Sequence, residues 1–150
     1  MVGSVLPAET NFMSDKAFVD TNILVYAHEP APGVKQERAS ALIEKLWESG
    51  DGVLSTQVLQ ELCVNLRRKG NLAADETRRL IQDFLAWEIV VNTAESVLGA
   101  LEIESRHDIS FWDALIIYAA QAAGAETLYS EDLNDGQMFG SVRIVNPLQA

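Results

Sequence analysis

Short apolar runs alternate along the chain with longer stretches whose apolar positions recur at helical spacing. The short runs are bounded by Gly, Asp, Asn or Pro and predict five strands, at residues 16–19, 52–55, 87–91, 127–130 and 142–145. Most of these runs are apolar throughout instead of alternating with polar residues. Such runs are typical of parallel strands that are covered on both faces.

Helical periodicity fills the intervals between the predicted strands. It predicts helices around residues 39–47, 58–66, 74–86, from 92 or 93 to about 101, and 110–124. Asn92 and Thr93 are both good N-caps, and Gly124 suits the position just after a helix. Because strands separated by helices indicate right-handed βαβ units, we predict an α/β fold: a three-layer α/β/α sandwich around a mainly parallel sheet of about five strands.

Composition narrows the class of protein. A chain of 150 residues with 48% hydrophobic and 22% charged residues is the size and type of one globular domain. We expect this domain to span residues 16–150, since residues 1–15 show no periodicity and resemble an N-terminal extension. Eleven basic against twenty-two acidic residues give a net charge of −11. This charge argues against a basic DNA-binding domain but leaves open a nuclease whose metal ions supply positive charge.

The cysteine content and the hydropathy of the chain indicate the cellular compartment in which we expect the protein. The single cysteine, Cys63, cannot form an internal disulfide, which fits a reducing environment. No apolar run reaches the ~18 residues of a membrane span, and no signal peptide is visible. We therefore expect a cytoplasmic protein with no membrane partner.

Four acidic residues lie at positions where exposure to solvent alone does not explain a charged side chain. Asp20 and Asp132 follow predicted strands at the carboxyl ends, where open α/β sheets bind ligands. Asp113 lies in a helix that is apolar on every side, and a lone buried carboxylate needs a partner or a metal. Glu61 is at the edge of an apolar helix stripe. Each also has a purely structural explanation. Asp20 could be a helix cap, and Asp113 could form a capping box with Ser110. Glu61 could be a surface acid of its helix, and Asp132 could be a polar loop residue.

Carboxylates that converge repel one another, and divalent cations relieve this repulsion. Mg²⁺ and Mn²⁺ prefer oxygen ligands, whereas two histidines and one cysteine argue against zinc. An acidic metal cluster is suited to phosphodiester hydrolysis, in which metal ions activate a water molecule and stabilise the leaving oxygen. No nucleophilic triad is evident in the sequence.

Four segments together resemble the PIN-domain family and, more closely, the VapC-type toxin ribonucleases of bacterial toxin–antitoxin pairs. They are Phe18-Val19-Asp20-Thr21-Asn22, Val58-x-x-Glu61-Leu62, Ile109-Ser110-Phe111-Trp112-Asp113-Ala114-Leu115-Ile116 and Tyr129-Ser130-Glu131-Asp132-Leu133-Asn134-Asp135-Gly136. Each motif is weak alone, but the four occur in the family's order between about Lys16 and Val145. The resemblance implies an α/β/α sandwich, metal-dependent endoribonuclease activity, a homodimer and neutralisation by a small cognate antitoxin.

The resemblance also implies roles for single residues. Asp20, Glu61, Asp113 and Asp132 match the family's acidic quartet and are the implied catalytic residues. Asp20 and Asp113 would be the primary ligands of Mg²⁺ or Mn²⁺. Glu61 would bind the metal directly or through water, and Asp132 would complete the site.

Three further residues are implied as supporting the acids. Asn22 matches a family position that organises the acids by hydrogen bonding. Ser130 would line the site, and Asp135 would be a further acid acting through water.

Basic residues cluster within positions 67–79, which hold five of the eleven: Arg67, Arg68, Lys69, Arg78 and Arg79. Such a patch favours RNA phosphates, and we assign RNA binding to Arg67, Arg68 and Lys69. The alternative is that these side chains are the solvated ends of a helix pair. Apolar faces on the helices before and after Gly70 would suit a dimer.

Two other functions stay open at this point. Asp20 could be the aspartyl nucleophile of a phosphatase, although no phosphate-binding lysine follows the fourth strand. A non-catalytic module could use its acids to bind a basic segment of a partner. We expect His28 and His107 to lie on the surface, and Cys63 to pack in the core. For Trp112 we favour packing in the core over stacking on a base. The sequence does not distinguish transfer, ribosomal and messenger RNA as substrates.

Overall fold

The structure is a computed structural model that describes residues 15–30, 32–68 and 72–149. Its six described strands are β1 (Ala17–Val19), β2 (Gly52–Ser55), β3 (Glu88–Val90), β4 (Thr127–Tyr129), β5 (Met138–Phe139) and β6 (Val142–Val145). The described helices are α1 (Thr21–Ala27), α2 (Val34–Ser49), α3 (Thr56–Arg68), α4 (Ala74–Phe84), α5 (Ala94–His107) and α6 (Phe111–Ala122). The N-terminal extension expected at residues 1–15 lies outside the described residues, apart from Asp15.

All six strands form one sheet in the order β3-β2-β1-β4-β6-β5. Every neighbouring pair is parallel except β5 and β6. From β1 the chain moves outward to β2 and β3, then returns to place β4 on the other side of β1. The strand order therefore reverses between β1 and β4, and a crevice for ligands opens there at the carboxyl ends of the strands.

The predicted fold class is confirmed: a central, mostly parallel sheet is flanked by helices. All five predicted strands are present, within one or two residues at each end. The sheet has one strand more than expected, because β5 pairs antiparallel with β6 through Phe139 and Val142. A strand of two residues is too short to show periodicity, which is why the hydrophobic pattern did not reveal it.

Helix ends follow local chemistry. Thr93 is the N-cap of α5, and its hydroxyl accepts a hydrogen bond from the Ser96 N–H at 3.4 Å. Gly124 follows α6 with φ +72°, and the Ala125 N–H donates to the Ala120 carbonyl at 3.0 Å. This is the expected glycine stop. The sequence pattern missed α1 as a helix, since its seven residues directly follow β1.

The core lies on both faces of the sheet. The strands contribute fully buried side chains from Phe18, Leu54, Leu128 and Ile144. Leu62 and Ile117, on α3 and α6, are equally buried. The central strands are thus held by apolar contacts, as expected for a parallel sheet that is covered by helices. None of the described helices is both long and apolar enough to cross a bilayer.

Candidate active site

A cleft of about 190 Å³ brings together all four acids singled out in the sequence. Asp20 directly follows β1, and Asp132 lies three residues after β4. Glu61 comes from α3 and Asp113 from the first turn of α6. The remaining wall is formed by Thr21, Asn22, Gln57, Asn65, Trp112 and Ile116. This acidic cleft lies at the carboxyl ends of β1 and β4, where the topology places a ligand site.

Asp20 is the buried member of the set, with only 7% of its surface exposed. Its Oδ1 accepts from the Thr21 N–H at 2.8 Å, and its Oδ2 accepts from the Ser130 hydroxyl at 2.9 Å. Burial raises the pKa of Asp20 to about 7, against these two hydrogen bonds, and the charges of Asp132 and Glu61 add to the rise. Asp20 therefore caps α1 and also carries a charge that a cation in the cleft would stabilise.

Glu61 belongs to a polar face of α3. The Thr21 hydroxyl donates to its Oε1 at 2.6 Å, and the Gln57 amide donates to its Oε2 at 3.3 Å. Gln57, Glu61 and Asn65 all line the cleft. Sequence reasoning missed Thr21, Gln57 and Asn65. The signal was present, because residues four apart on a helix share one face.

Asp132 is exposed and is oriented by Asn22, whose amide nitrogen donates to Asp132 Oδ2 at 2.7 Å. Partial burial raises the pKa of Asp132, and the charges of Asp113 and Glu131 raise it further, while the Asn22 hydrogen bond opposes them. Asp132 thus interacts electrostatically with both Asp20 and Asp113. The acids in the cleft form one coupled set.

Ser130 joins Asp20 to the loop after β4. Its side chain is fully buried, donates to Asp20, and accepts from the backbone N–H groups of Asp132 and Leu133 at 3.2 and 3.4 Å. It supports the cleft from behind and is not part of its wall.

The start of α6 differs from expectation. Ser110 is the N-cap and accepts from the Asp113 N–H at 3.1 Å. Asp113 is only half-buried, because α6 is not apolar on every side. The prediction that Trp112 packs in the core is wrong, since 62% of its surface is exposed. Phe111 is partly buried instead and packs against the cluster of Ala100, Ala114 and Leu115.

Other candidates lie away from the cleft. Asp135 is exposed, and its carboxylate accepts from the Asn146 N–H at 2.7 Å, outside the acidic wall. Arg67 and Arg68 are exposed at the end of α3, beside a separate groove, and Lys69 lies outside the described residues. His28 is half-buried, not fully on the surface as expected, and its Nδ1 lies 2.8 Å from the Leu24 carbonyl oxygen.

Two further expectations concern His107 and Cys63. His107 is exposed at the end of α5, as expected, with its ring edge-on to Phe139 at 4.8 Å. Cys63 is only partly buried and lines a surface groove with Arg67 and Arg78, so its expected place in the core is wrong. Neither side chain lies in the acidic wall.

The donor set fits a hard divalent cation, but the side chains are not in coordinating positions. Within the described ranges, no three His, Cys, Asp or Glu side chains are grouped closely enough to hold a metal ion. Asp20, Glu61 and Asp132 each bind a neighbouring hydroxyl or amide instead. Carboxylate oxygens around a cleft are nevertheless the ligands that Mg²⁺ and Mn²⁺ prefer. Coordination therefore requires some of these side chains to rotate.

Solved structures share this fold. VapC20 of Mycobacterium tuberculosis, described as a toxin that cleaves the sarcin–ricin loop, is 25% identical, with 78% of this chain and 90% of that chain covered and a TM-score of 0.61. A toxin–antitoxin complex from Klebsiella pneumoniae is 18% identical, with 88% and 98% covered and a TM-score of 0.67. VapBC2 from Rickettsia felis, bound to a promoter DNA fragment, is 21% identical, with 85% and 96% covered and a TM-score of 0.61.

Sequence comparison gives the family. No curated protein sequence matches the chain. The model of the PIN domain matches residues 17–134, a span that contains all four carboxylates of the acidic cleft and every strand up to β4. The chain therefore belongs to the PIN domain family.

Proposed function

We propose that this protein is a divalent-metal-dependent endoribonuclease that hydrolyses phosphodiester bonds of RNA. The observation that carries the proposal is the meeting of four carboxylates in one cleft at the point where the strand order reverses. Burial, and to a smaller extent the charges of Asp132 and Glu61, raise the pKa of Asp20, so a cation in the cleft would offset a cost of ionisation. Phosphodiester hydrolysis is the chemistry that acidic metal clusters support.

Asp20 and Asp113 are the proposed primary ligands of Mg²⁺ or Mn²⁺. Glu61 binds the ion directly or through water, and Asp132 completes the site. When bound, the ion supplies charge neutralisation and a water of lowered pKa. Asp135, outside the cleft wall, can take part only through water.

The neighbours of these acids do the positioning. Ser130 holds one oxygen of Asp20, and Asn22 holds one oxygen of Asp132. Asp132 keeps a second oxygen that can turn toward the cleft. Both oxygens of Asp20 already accept a hydrogen bond, from Thr21 and from Ser130, so a cation would bind their remaining lone pairs. Attack by water with departure of the 3′ oxygen leaves a 3′-hydroxyl and a 5′-phosphate. Ends with a 2′,3′-cyclic phosphate would mean that the ribose 2′-hydroxyl is the nucleophile.

We further propose that the protein is the toxin of a toxin–antitoxin pair, a homodimer that acts in the cytoplasm. The structures similar to it are a toxin and toxin–antitoxin complexes. The net charge of −11 favours capture of a basic antitoxin segment at the acidic cleft. The domain is proposed to span residues 16–150, with RNA phosphates contacting Arg67, Arg68 and Lys69.

The test is cleavage of total cellular RNA by purified, partner-free protein with Mg²⁺, with Mn²⁺ and with a chelator. Asp113→Asn should abolish the metal-dependent cuts, since it removes a ligand but keeps the size of the side chain. Asp83→Asn, an exposed change on α4, is the matched control and should cleave normally. Cleavage that persists in Asp113→Asn, or in the chelator, contradicts the proposal.

The second candidate is a non-catalytic acidic module that binds a basic partner segment. It is favoured by one observation, the hydrogen bonds that hold the carboxylates away from coordinating positions. Folded protein that neither cleaves RNA nor binds Mn²⁺, yet binds a basic peptide, would support it.

A further inference from the structure

Trp112 occupies an unusual place for a large aromatic side chain. It is 62% exposed in the first turn of α6, directly before Asp113, and it forms part of the wall of the acidic cleft. The ring is braced by Phe111, whose centroid lies 5.3 Å away at an interplanar angle of 79°. Phe111 itself packs against the buried cluster of Ala100, Ala114 and Leu115. Trp112 is therefore an exposed indole, supported by a packed aromatic ring, beside the carboxylates.

A second cleft continues from the acidic cleft past this indole. We call it the flanking groove; its volume is about 440 Å³, and it is lined by Gln57, Gln60, Glu61, Val64, Asn65 and Trp112. Four of these residues also line the acidic cleft, so the two spaces adjoin across shared walls. The volume lies in the range of roughly 300–1,000 Å³ that is usual for small-ligand sites.

Gln57 in this wall has an unsatisfied oxygen. The residue is 5% exposed, and its amide nitrogen donates to Glu61 Oε2 and to the Trp112 carbonyl, each at 3.3 Å. Both partners are acceptors, which sets the orientation of the amide. Gln57 Oε1 is then buried without a partner among the described residues. Such an atom favours a ligand that supplies an N–H donor.

The side chains that line the flanking groove indicate whether a phosphate or a base of a nucleic acid would bind there. The flanking groove has an indole and three side-chain amides but no lysine or arginine, and its one charged residue is acidic. A phosphate is therefore disfavoured. An uncharged base is favoured, because it stacks on an aromatic face and pairs its edge with amides.

Resting on the proposed ribonuclease function, we propose that the flanking groove binds an unpaired nucleobase of the RNA, next to the phosphodiester held at the acidic cleft. Trp112 stacks on the base. Gln57 Oε1 accepts a hydrogen bond from a base N–H after a small side-chain shift. Gln60 and Asn65 are placed to contact the edge of the same base. The substrate class is accordingly RNA with a single-stranded segment at the cut.

The first test measures binding without chemistry. Asp113→Asn protein, with Trp47→Phe to remove the other exposed tryptophan, is titrated with oligo(A), oligo(C), oligo(U) and an abasic ribose-phosphate oligomer, and indole fluorescence is followed. We expect quenching by the base-bearing oligomers and none by the abasic one. Because the Trp112 variants lack the reporting indole, their affinities are measured by fluorescence anisotropy of the same oligomers carrying a terminal fluorescein. Trp112→Ala should weaken binding roughly 5- to 150-fold, the range that one base–aromatic stack provides. Trp112→Phe should recover most of the affinity.

The second test measures cleavage of a single-stranded RNA by otherwise unchanged protein. Trp112→Ala should lower kcat/KM by a similar factor without changing the Mg²⁺ concentration needed for half-maximal rate. Replacing the stacked nucleotide by an abasic one should have the same effect on the natural chain, and no further effect on Trp112→Ala. Leu98→Ala, a change of a 67% exposed residue on α5, is the matched control and should behave as the natural chain.

Two results overturn the nucleobase site. One is equal quenching by abasic and base-bearing oligomers. The other is a Trp112→Ala protein that binds and cuts RNA normally. If that variant has instead lost binding of a protein partner, the flanking groove is a protein interface. Failure of the ribonuclease proposal gives a different result. Neither the natural chain nor any variant then cleaves RNA, whereas base-bearing oligomers can still quench the fluorescence of Trp112.

Discussion

Asp20 is ionised only at an energetic cost, because its carboxylate is buried beside two other acids. The same side chain begins α1 by accepting a hydrogen bond from Thr21. A structural role and a place in the acidic cleft are therefore compatible at one residue. The cost of ionisation is what makes Asp20 sensitive to pH and to cations.

Asp20→Asn should stabilise the metal-free protein at neutral and alkaline pH. The pKa rises from 3.8 in the unfolded chain to about 7 in the fold, so between these values the folded state keeps a proton that the unfolded state loses. The stability of the natural chain should thus fall as pH rises from about 4 to about 7, by up to about 4 kcal/mol, and Asp20→Asn should remove this fall.

Urea unfolding in a chelator, at a series of pH values, measures this difference. Below about pH 4, Asp20 is protonated in both the folded and the unfolded state. Only there should the free energies of unfolding of the natural chain and of Asp20→Asn depend equally on pH. Adding Mg²⁺ at about pH 8 should stabilise the natural chain more than the variant, since a cation offsets the charge. Parallel stability curves across the whole pH range would contradict the assignment.

The residues of the cleft were predictable to different degrees. Asp20 and Asp132 follow strands, and strand ends can be identified in the sequence. Thr21 was missed because a hydroxyl beside an acid is common. Gln57 lies four residues before Glu61 on α3, and that spacing could have revealed it. Trp112 was misplaced because an apolar run shows that a helix is partly buried but not which residue of its first turn faces outward.

At the scale of elements, a contact between α1, α2 and the loop after β4 supports the cleft. Glu131 accepts from the Tyr26 hydroxyl at 2.9 Å and pairs with Lys35 of α2. Glu131 stands between Ser130 and Asp132, so this contact holds the loop that carries both. It connects the helical layer to the position of an acid in the cleft.

Lys35→Met should raise the Mg²⁺ concentration needed for half-maximal cleavage, and the rise should be small. The Lys35 side chain is 52% exposed, so solvent screens its ion pair with Glu131. Arg106→Met is the matched control, because it removes an exposed ion pair with Glu102 on α5. A metal titration of RNA cleavage compares the two, and equal shifts in both would argue against a role for the Glu131 contact.

Gly52→Ala should destabilise the fold by about 1–3 kcal/mol. A Cβ at Gly52, the first residue of β2, would lie 2.4 Å from the buried Trp87 ring, so β2 or the ring has to move. Gly33→Ala is the control, since nothing lies within 4 Å of its Cβ position and its φ of 171° is extended. Denaturant unfolding of both variants tests this, and the prediction fails if the two are equally stable.

The elements that the sequence pattern predicted are those long enough to show a period or an apolar run. Both elements that it missed are short and adjoin another element: α1 starts one residue after β1, and β5 has two residues. α1 has a local signal in its Asp20 N-cap, but seven residues are too few to show a clear period. β5 forms through its pairing with β6, a tertiary contact that local propensity does not contain.

At the scale of the molecule, charge is distributed unevenly. The chain carries −11, yet Arg67, Arg68 and Arg78 are all exposed and border neighbouring grooves at the α3 and α4 helices. This basic surface lies beyond Val64, which also lines the flanking groove. An RNA strand that leaves the flanking groove in this direction would meet positive charge.

The double variant Arg67→Ala with Arg68→Ala should weaken RNA binding and its dependence on salt. The slope of log binding constant against log salt concentration should become shallower by about 1.4, because each phosphate contact on a single strand contributes ~0.7. Lys45→Ala with Arg106→Ala changes the net charge equally on other exposed surfaces and should leave the slope unchanged. Binding of the Asp113→Asn protein to oligo(U) across a salt series measures both slopes. Equal slopes for the two double variants would exclude a specific role for Arg67 and Arg68.

The outer strands of the sheet have a consequence for self-assembly. β5 has two residues and β3 has three, so each rim of the sheet offers only a few unpaired backbone groups. Polymerisation by strand addition needs a longer template than that. Among the described residues, both rims therefore disfavour fibril growth by strand addition, and association of copies through helix faces is favoured instead.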